Sequence, residues 1–190
     1  MVAESILEEE DVKKRAGNLK FWIKCASKLK EIKNYNGLMT ILSALNSSTI
    51  HRLKKTWSII QNKHLQSFEE LEHITDHRKN FNEYRKEMKT AVPPFLPFLG
   101  LFLTDLTFSK DGNPDFKDEQ KTIINYTKYF RISIIIQELQ RFQIPYEFKP
   151  ISEMSELIQG LMASLKYNGD ANKMYERSIQ LEAKNIPVNK

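Results

Sequence analysis

The sequence predicts an all-α protein: a multi-helix orthogonal core with a protruding antiparallel helical hairpin at about residues 97–142. Three observations predict it. Apolar residues recur at i, i+3/i+4 and i+7 in one segment after another, and no segment alternates polar and apolar residues as a half-buried strand does. Two proline-bearing breaks, at residues 92–97 and 111–114, set one short helix apart as the first arm of the hairpin.

At the N-terminus Ser5 and Glu8 have capping-box spacing, and Glu9, Glu10 and Asp11 each stand one turn before Lys13, Lys14 and Arg15. A helix is expected to open here and continue through Leu19, Trp22, Ile23, Ala26 and Leu29, whose spacing gives a wide apolar stripe. Asn34-Tyr35-Asn36-Gly37 is a turn signal. Leu38, Met39, Ile41, Leu42, Ala44 and Leu45 then make a helix apolar on nearly every side, which requires a central position. Asn46-Ser47-Ser48 offers three N-cap formers, so a further helix starts there and carries Ile50, Leu53 and Trp57. Amphipathic stretches follow around Leu65, Phe68 and Leu71, and around Phe81, Tyr84 and Met88.

Pro93, Pro94 and Pro97 lack amide donors and disfavour helix in the residue before each, so they form a rigid lead-in to the hairpin. Beyond them Leu99, Phe102, Leu103 and Leu106 share one helical face, with Thr104, Asp105 and Thr107 largely off it. Asp111-Gly112-Asn113-Pro114 is a strong turn. A long helix is expected to return from about residue 116 to 142, with Ile123, Phe130 and Ile134 in one row and Ile124, Ile135 and Leu139 in another. Pro145 and Pro150 bracket a loop, and residues 151–165 and 171–183 read as two closing helices.

At 190 residues, 41% hydrophobic, with no internal repeat and no Gly/Ser-rich linker, the chain reads as a single domain over 1–190. It buries enough surface to fold without disulfides or metal. The lone Cys25 points to a reducing compartment. No basic and apolar signal segment opens the sequence, and the longest apolar run, residues 95–103, falls short of the roughly 20 residues of a bilayer span. A soluble, cytoplasmic protein is expected. The net charge of +5 favours acidic or anionic partners without choosing among them.

A nucleophile elbow, a P-loop, a dinucleotide fingerprint and a Cys-x-x-Cys pair are all absent, which argues against covalent, phosphoryl-transfer and hydride chemistry; no cofactor or metal is implied. His73 and His77 have metal-pair spacing, yet no Glu follows His73 as in the zinc-protease pattern and no third ligand is evident, so a solvated helix face is expected. Arg52, Lys54 and Lys55 beside Trp57 resemble a basic patch with an aromatic. A solvated face with one core tryptophan is the expected reading, because acidic residues lie almost as densely as basic ones along the chain. Cys25 is expected to be a buried small hydrophobe.

Two blocks carry a specific resemblance. Residues 34–48, from Asn34-Tyr35-Asn36-Gly37 to Asn46-Ser47-Ser48, continue through residues 51–57; residues 92–108 continue into Asp111-Gly112-Asn113-Pro114-Asp115. In this order and separation they resemble the catalytic domain of Ras guanine-nucleotide exchange factors (RasGEF). Lys13-Lys14-Arg15-Ala16, residues 81–85 and Ile123-Ile124-Asn125-Tyr126 also fit, and the resemblance runs from about Ile6 to Glu182.

The resemblance implies an all-helical domain that releases GDP from a Ras-family small GTPase by stabilising its nucleotide-free form, the hairpin wedging open switch I. It implies no covalent step, no nucleic acid and no transmembrane segment, and proximity to the inner face of the plasma membrane through the lipidated GTPase. Thr107 and Asp111 match the intruding pair, a bulky apolar group that blocks the Mg²⁺ site and a carboxylate beside the phosphates. Thr107 departs from the large apolar residue of that pattern, with Phe108 adjacent. Asn36, Phe81, Tyr84, Phe98, Asp105 and Phe108 are the residues expected to contact the GTPase. Asn36 also reads as a turn or cap residue, Asp105 as a solvated one, and Phe81 or Tyr84 as core. The resemblance further implies helices ahead of the position matched by Met1, which this sequence does not contain, and hence apolar surface left bare. A binding module that holds a small GTPase without ejecting nucleotide, or an inactive fragment of such a domain, is the alternative.

Overall fold

The computed structural model describes residues 1–164, 166 and 169–183. Among these, eleven α-helices follow one another: α1 (Val2–Leu7), α2 (Val12–Glu31), α3 (Tyr35–Leu45), α4 (Ser48–His51), α5 (Lys54–Ser58), α6 (Asn62–Ile74), α7 (Asn82–Thr90), α8 (Leu99–Asp111), α9 (Tyr126–Arg141), α10 (Ser152–Ala163) and α11 (Ala171–Leu181). A 3-10 turn, His77–Lys79, precedes α7. The all-α class follows from the sequence pattern, and Leu165, the expected end of the first closing helix, lies outside the described residues.

Helix α2 is the axis of the core. It packs on α3, α6, α5 and α1, and its buried Ala16, Leu19, Ile23 and Ala26 meet Leu38, Ile41, Leu42 and Leu45 of α3. The apolar α3 is accordingly central. Its N-cap is Asn34, whose side chain accepts the Gly37 amide at 2.7 Å, so the turn signal at 34–37 is the first turn of the helix rather than a loop before it.

The N-terminal helix breaks where one continuous helix was expected. Ser5 lies inside α1; its hydroxyl donates to the Val2 carbonyl and accepts the Trp22 indole N–H. The cap of α2 is Asp11, which accepts the Lys13 and Lys14 amides, and those bonds with the lysine charges hold its carboxyl below the ordinary range. Arg15 enforces the break by reaching back to donate to the Glu9 and Glu10 carbonyls, both at 2.9 Å. A second break divides Ile50 from Trp57: α4 ends at His51, and the Trp57 indole donates to the Ile50 carbonyl at 3.0 Å, satisfying a helix end.

The return arm of the hairpin starts later than its apolar spacing suggests. Residues 116–125 are not helical, because the Asp118 carboxylate accepts the Thr122 and Ile123 amides and the Thr122 hydroxyl, folding the chain back so that Lys117 N–H meets the Ile123 carbonyl. Ile123 and Ile124 are therefore exposed loop residues, and α9 begins at the Asn125 cap. The turn before it needs Gly112: a Cβ there would stand 2.7 Å from the Phe108 carbonyl oxygen, backbone that cannot move aside.

At the C-terminus α11 returns to the start of the chain. Arg177 donates to the Leu7 carbonyl and pairs with Glu10 at 3.0 Å, while Arg52, just past α4, donates to the Ser178 backbone and hydroxyl oxygens. Glu182, just past α11, accepts from the amides of Lys55 and Thr56, the Thr56 hydroxyl and buried Arg15.

Candidate functional site

The hairpin stands on an aromatic base. Tyr84, Tyr35, Phe95 and Phe142 pack ring on ring in series, Tyr84 tilted on Tyr35 at 4.9 Å between centroids, with Tyr35–Phe95 stacked at 5.1 Å and Phe95–Phe142 at 4.7 Å. The stack joins the start of α3, the first turn of α7, the proline lead-in and the C-cap of α9. Arg141 of α9 donates to the Met88 carbonyl, tying the return arm to α7.

Tyr84 is 2% exposed and belongs to this base. Its hydroxyl accepts the Phe98 amide at 2.9 Å, and burial pushes its pKa up to about 12. It positions the first arm and offers no surface to a partner, which corrects the expectation of a contact role and agrees with the core reading. Tyr84→Phe is expected to cost about 1 kcal/mol by leaving that amide unpaired; urea unfolding measures it, and an unchanged midpoint would show that water replaces the hydroxyl.

Asp105 is half-buried and receives both Nη1 and Nη2 of Arg85, at 2.7 and 2.8 Å. This fork fixes the rotation of α8 against α7. Asp105 is thus held by Arg85 rather than left as the wholly solvated residue that its helix position alone suggested. The fork also turns the helix from its expected face: Leu101 and Phe102 are buried, whereas Leu99 and Leu103 are 46% and 54% exposed.

Thr107 and Asp111 are exposed and lie four residues apart, one turn along one face of α8, at the end farthest from the aromatic base. Phe108 is 71% exposed and points off that face. The tip behind them is braced from α9: buried Lys128 donates to the Asn113 carbonyl at 2.7 Å and pairs with Asp115 at 2.6 Å, while Asn125 donates to the Pro114 carbonyl. Lys128 and the Tyr129 hydroxyl, which also donates to it, hold the Asp115 carboxyl below the usual range. Periodicity gave no sign of these braces.

Beside the hairpin base a groove of about 1080 Å³ opens between α3, the end of α6 and the 3-10 turn, lined among others by Met39, Thr40, Asn46, His73, Phe81 and Phe98. Phe81 and Phe98 are half-buried, 6.1 Å apart, and form its wall on the hairpin side. Asn36 is exposed in the first turn of α3, and since Asn34 is the cap, its side chain is left to solvent. His73 and His77 lie on the groove rim but share no helix, because α6 ends at Ile74. Cys25 is only half-buried, and partial burial raises its thiol pKa. Arg52 turns inward to α11 rather than joining a patch with Lys54 and Lys55.

The fold thus presents an all-helical core, a groove beside the hairpin base and a hairpin whose exposed tip carries Asp111. Residues 1–130 match the RasGEF domain family. The chain belongs to that family. It is 39% identical over 158 residues to Ras guanine nucleotide exchange factor Y of Dictyostelium discoideum, covering 83% of this chain and 10% of that protein. It is 33% identical to cell division control protein 25 of Saccharomyces cerevisiae, over 95% of this chain and 11% of that protein, and 34% identical to Ras-specific guanine nucleotide-releasing factor 2 of Mus musculus, over 96% and 15%. The chain thus spans about a tenth to a seventh of the length of these relatives. No helix among the described residues is long and apolar enough to cross a membrane.

Proposed function

We propose that this domain accelerates GDP release from a Ras-family small GTPase, the hairpin α8–α9 opening switch I and disturbing the Mg²⁺ and phosphate site. What supports this reading is the family membership together with a hairpin rigid at its base and exposed at its tip. A bound nucleotide is held largely through its phosphates, so contacts available only when those are displaced lower the barrier to escape. Asp111 supplies like charge near the phosphates, and Thr107, smaller than the apolar residue of the family pattern, stands on the same face of α8 toward the Mg²⁺ site. Asn36, Phe81, Phe98 and Phe108 form the docking contacts on the groove and the outer hairpin, with Asp105 and Tyr84 positioning the arm that carries the tip. The domain acts in the cytoplasm, at the inner membrane face where a lipidated GTPase resides.

The test is release of a fluorescent GDP analogue from Ras, Rap and Ral type GTPases, with this chain at micromolar concentration and excess unlabelled GDP. Acceleration on one of them is expected. No acceleration by a chain shown to be helical by circular dichroism overturns the reading. A catalyst must also bind the nucleotide-free GTPase more tightly than the GDP form, whereas a passive binding module shows no such preference. Asn36→Ala is expected to weaken GTPase binding about threefold to tenfold with helicity intact, as removal of one partner hydrogen bond does; full affinity in a pull-down titration would remove Asn36 from the interface.

A further inference from the structure

Charge is segregated along this chain in a way the overall balance conceals. Residues 12–68 contain twelve Lys and Arg and one acid, Glu31, while the remaining positions contain 17 basic and 23 acidic residues. The expectation that acids and bases are evenly interspersed therefore fails over the first third of the protein. Arg15 and Arg52 point inward and are consumed by internal bonds, so the surface charge of this region is carried by lysines.

The fold gathers part of that charge. Helices α2 and α6 pack together, which brings Lys20 and Lys24 of α2 to the same side of the core as Lys63 and His64 of α6, all three lysine charges acting on His64. His64 is 9% exposed and its Nε2 has no hydrogen-bond partner among the described residues. Burial, then the charges of Lys63, Lys20 and Lys24, lower the His64 pKa. No carboxylate among the described residues pairs with any of the three lysines. Between Lys20 and Lys24 stands Phe21, 56% exposed, and Ile59, at the end of α5 and four residues before Lys63, is 43% exposed. None of these residues lines the groove beside the hairpin.

We propose that this lysine face, with Phe21 as its apolar contact, binds an anionic phospholipid membrane surface directly. Flexible lysines attract the diffuse charge of acidic headgroups, each within a Debye length adding to the attraction, while their stems lie along the headgroup boundary. An aromatic ring held outward amid them enters that boundary, where an isolated exposed Phe in water gains nothing. A nucleic-acid surface is less well served, because the guanidinium forks that read phosphate and bases are turned into the core. The inference stands apart from the exchange reading, since the face lies outside the groove and the hairpin.

The experiment is co-sedimentation of the full chain with phosphatidylcholine vesicles with and without phosphatidylserine, at low and high salt. Binding to the serine-containing vesicles alone, weakened by salt, is expected. Each of Lys20→Ala, Lys24→Ala and Lys63→Ala should weaken it about fivefold, and the three together on the order of a hundredfold. Phe21→Ala should reduce affinity several-fold while leaving the salt dependence unchanged, and the pair Lys117→Ala with Lys149→Ala, outside the face, should leave binding intact. Equal binding to both vesicles, an equal loss in the control pair, or tighter binding to duplex DNA than to vesicles would overturn the proposal. Circular dichroism confirms folding of each variant, and GDP release measured without vesicles should be unchanged by the lysine substitutions, which keeps this test separate from that of exchange.

Discussion

Replacing Arg15 by alanine is expected to destabilise the protein by about 3–5 kcal/mol, the range for removing one member of a buried ion pair. Arg15 is 2% exposed, and its guanidinium donates to the Glu9 and Glu10 carbonyls, the Thr56 hydroxyl and Glu182. Without it, Glu182 keeps its charge in a site 6% exposed and loses its cationic partner. Denaturant unfolding monitored by circular dichroism reads the loss; a shift below about 1 kcal/mol would show that Thr56 and the Lys55 and Thr56 amides suffice. The same site sets acid sensitivity. Burial alone would raise the Glu182 pKa, but hydrogen bonds from Thr56, the two amides and Arg15 outweigh it and hold the carboxyl below its ordinary value of 4.5. A group depressed on folding stabilises the native state above its unfolded pKa, so this contribution is complete at neutral pH and is lost as pH falls through the depressed folded value. Glu182→Gln should flatten that acid dependence.

Asp111→Ala is expected to slow stimulated GDP release about thirtyfold with little change in stability. A like charge about 8 Å from a phosphate at an effective dielectric near 20 is worth about 2 kcal/mol, and that energy in the barrier is roughly thirtyfold in rate. Asp111 is exposed at the end of α8, so its truncation should alter unfolding by less than about 0.5 kcal/mol. Exchange assays on the variant, run beside thermal melts, separate the two effects. Unchanged release would take Asp111 out of the mechanism.

The helical periodicity of the sequence located nearly every helix and both arms of the hairpin, because burial of one face is written in local spacing. The errors arose where distant side chains decide what the backbone does. The break between α1 and α2 depends on Arg15 reaching back to carbonyls, and the late start of α9 depends on Asp118 capturing the amides of Thr122 and Ile123. Both are polar bonds that a count of apolar positions does not register. The same holds at the candidate site. Asp105 and Tyr84 occupy recognisable positions in the family pattern, yet their roles come from Arg85 and the Phe98 amide, 20 and 14 residues away. The bonds of Asp118 to amides four and five residues on match no short-range turn signature, whereas the absence of acids between Glu31 and Glu69 was legible as a charge bias.

The closure at Glu182 also bears on the order in which the chain assembles. Helices α2 and α3 pack chiefly on each other and on α1, α4, α5 and α6, all within the first 74 residues and over short connections. Glu182 meets Arg15 only across 167 positions, and the entropy of closing so long a loop delays the contact until the rest has formed. Contacts made after the folding transition state act on the rate of unfolding. The clasp between the two ends of the domain is in this sense a kinetic lock, setting how long the folded state persists more than how fast it is reached.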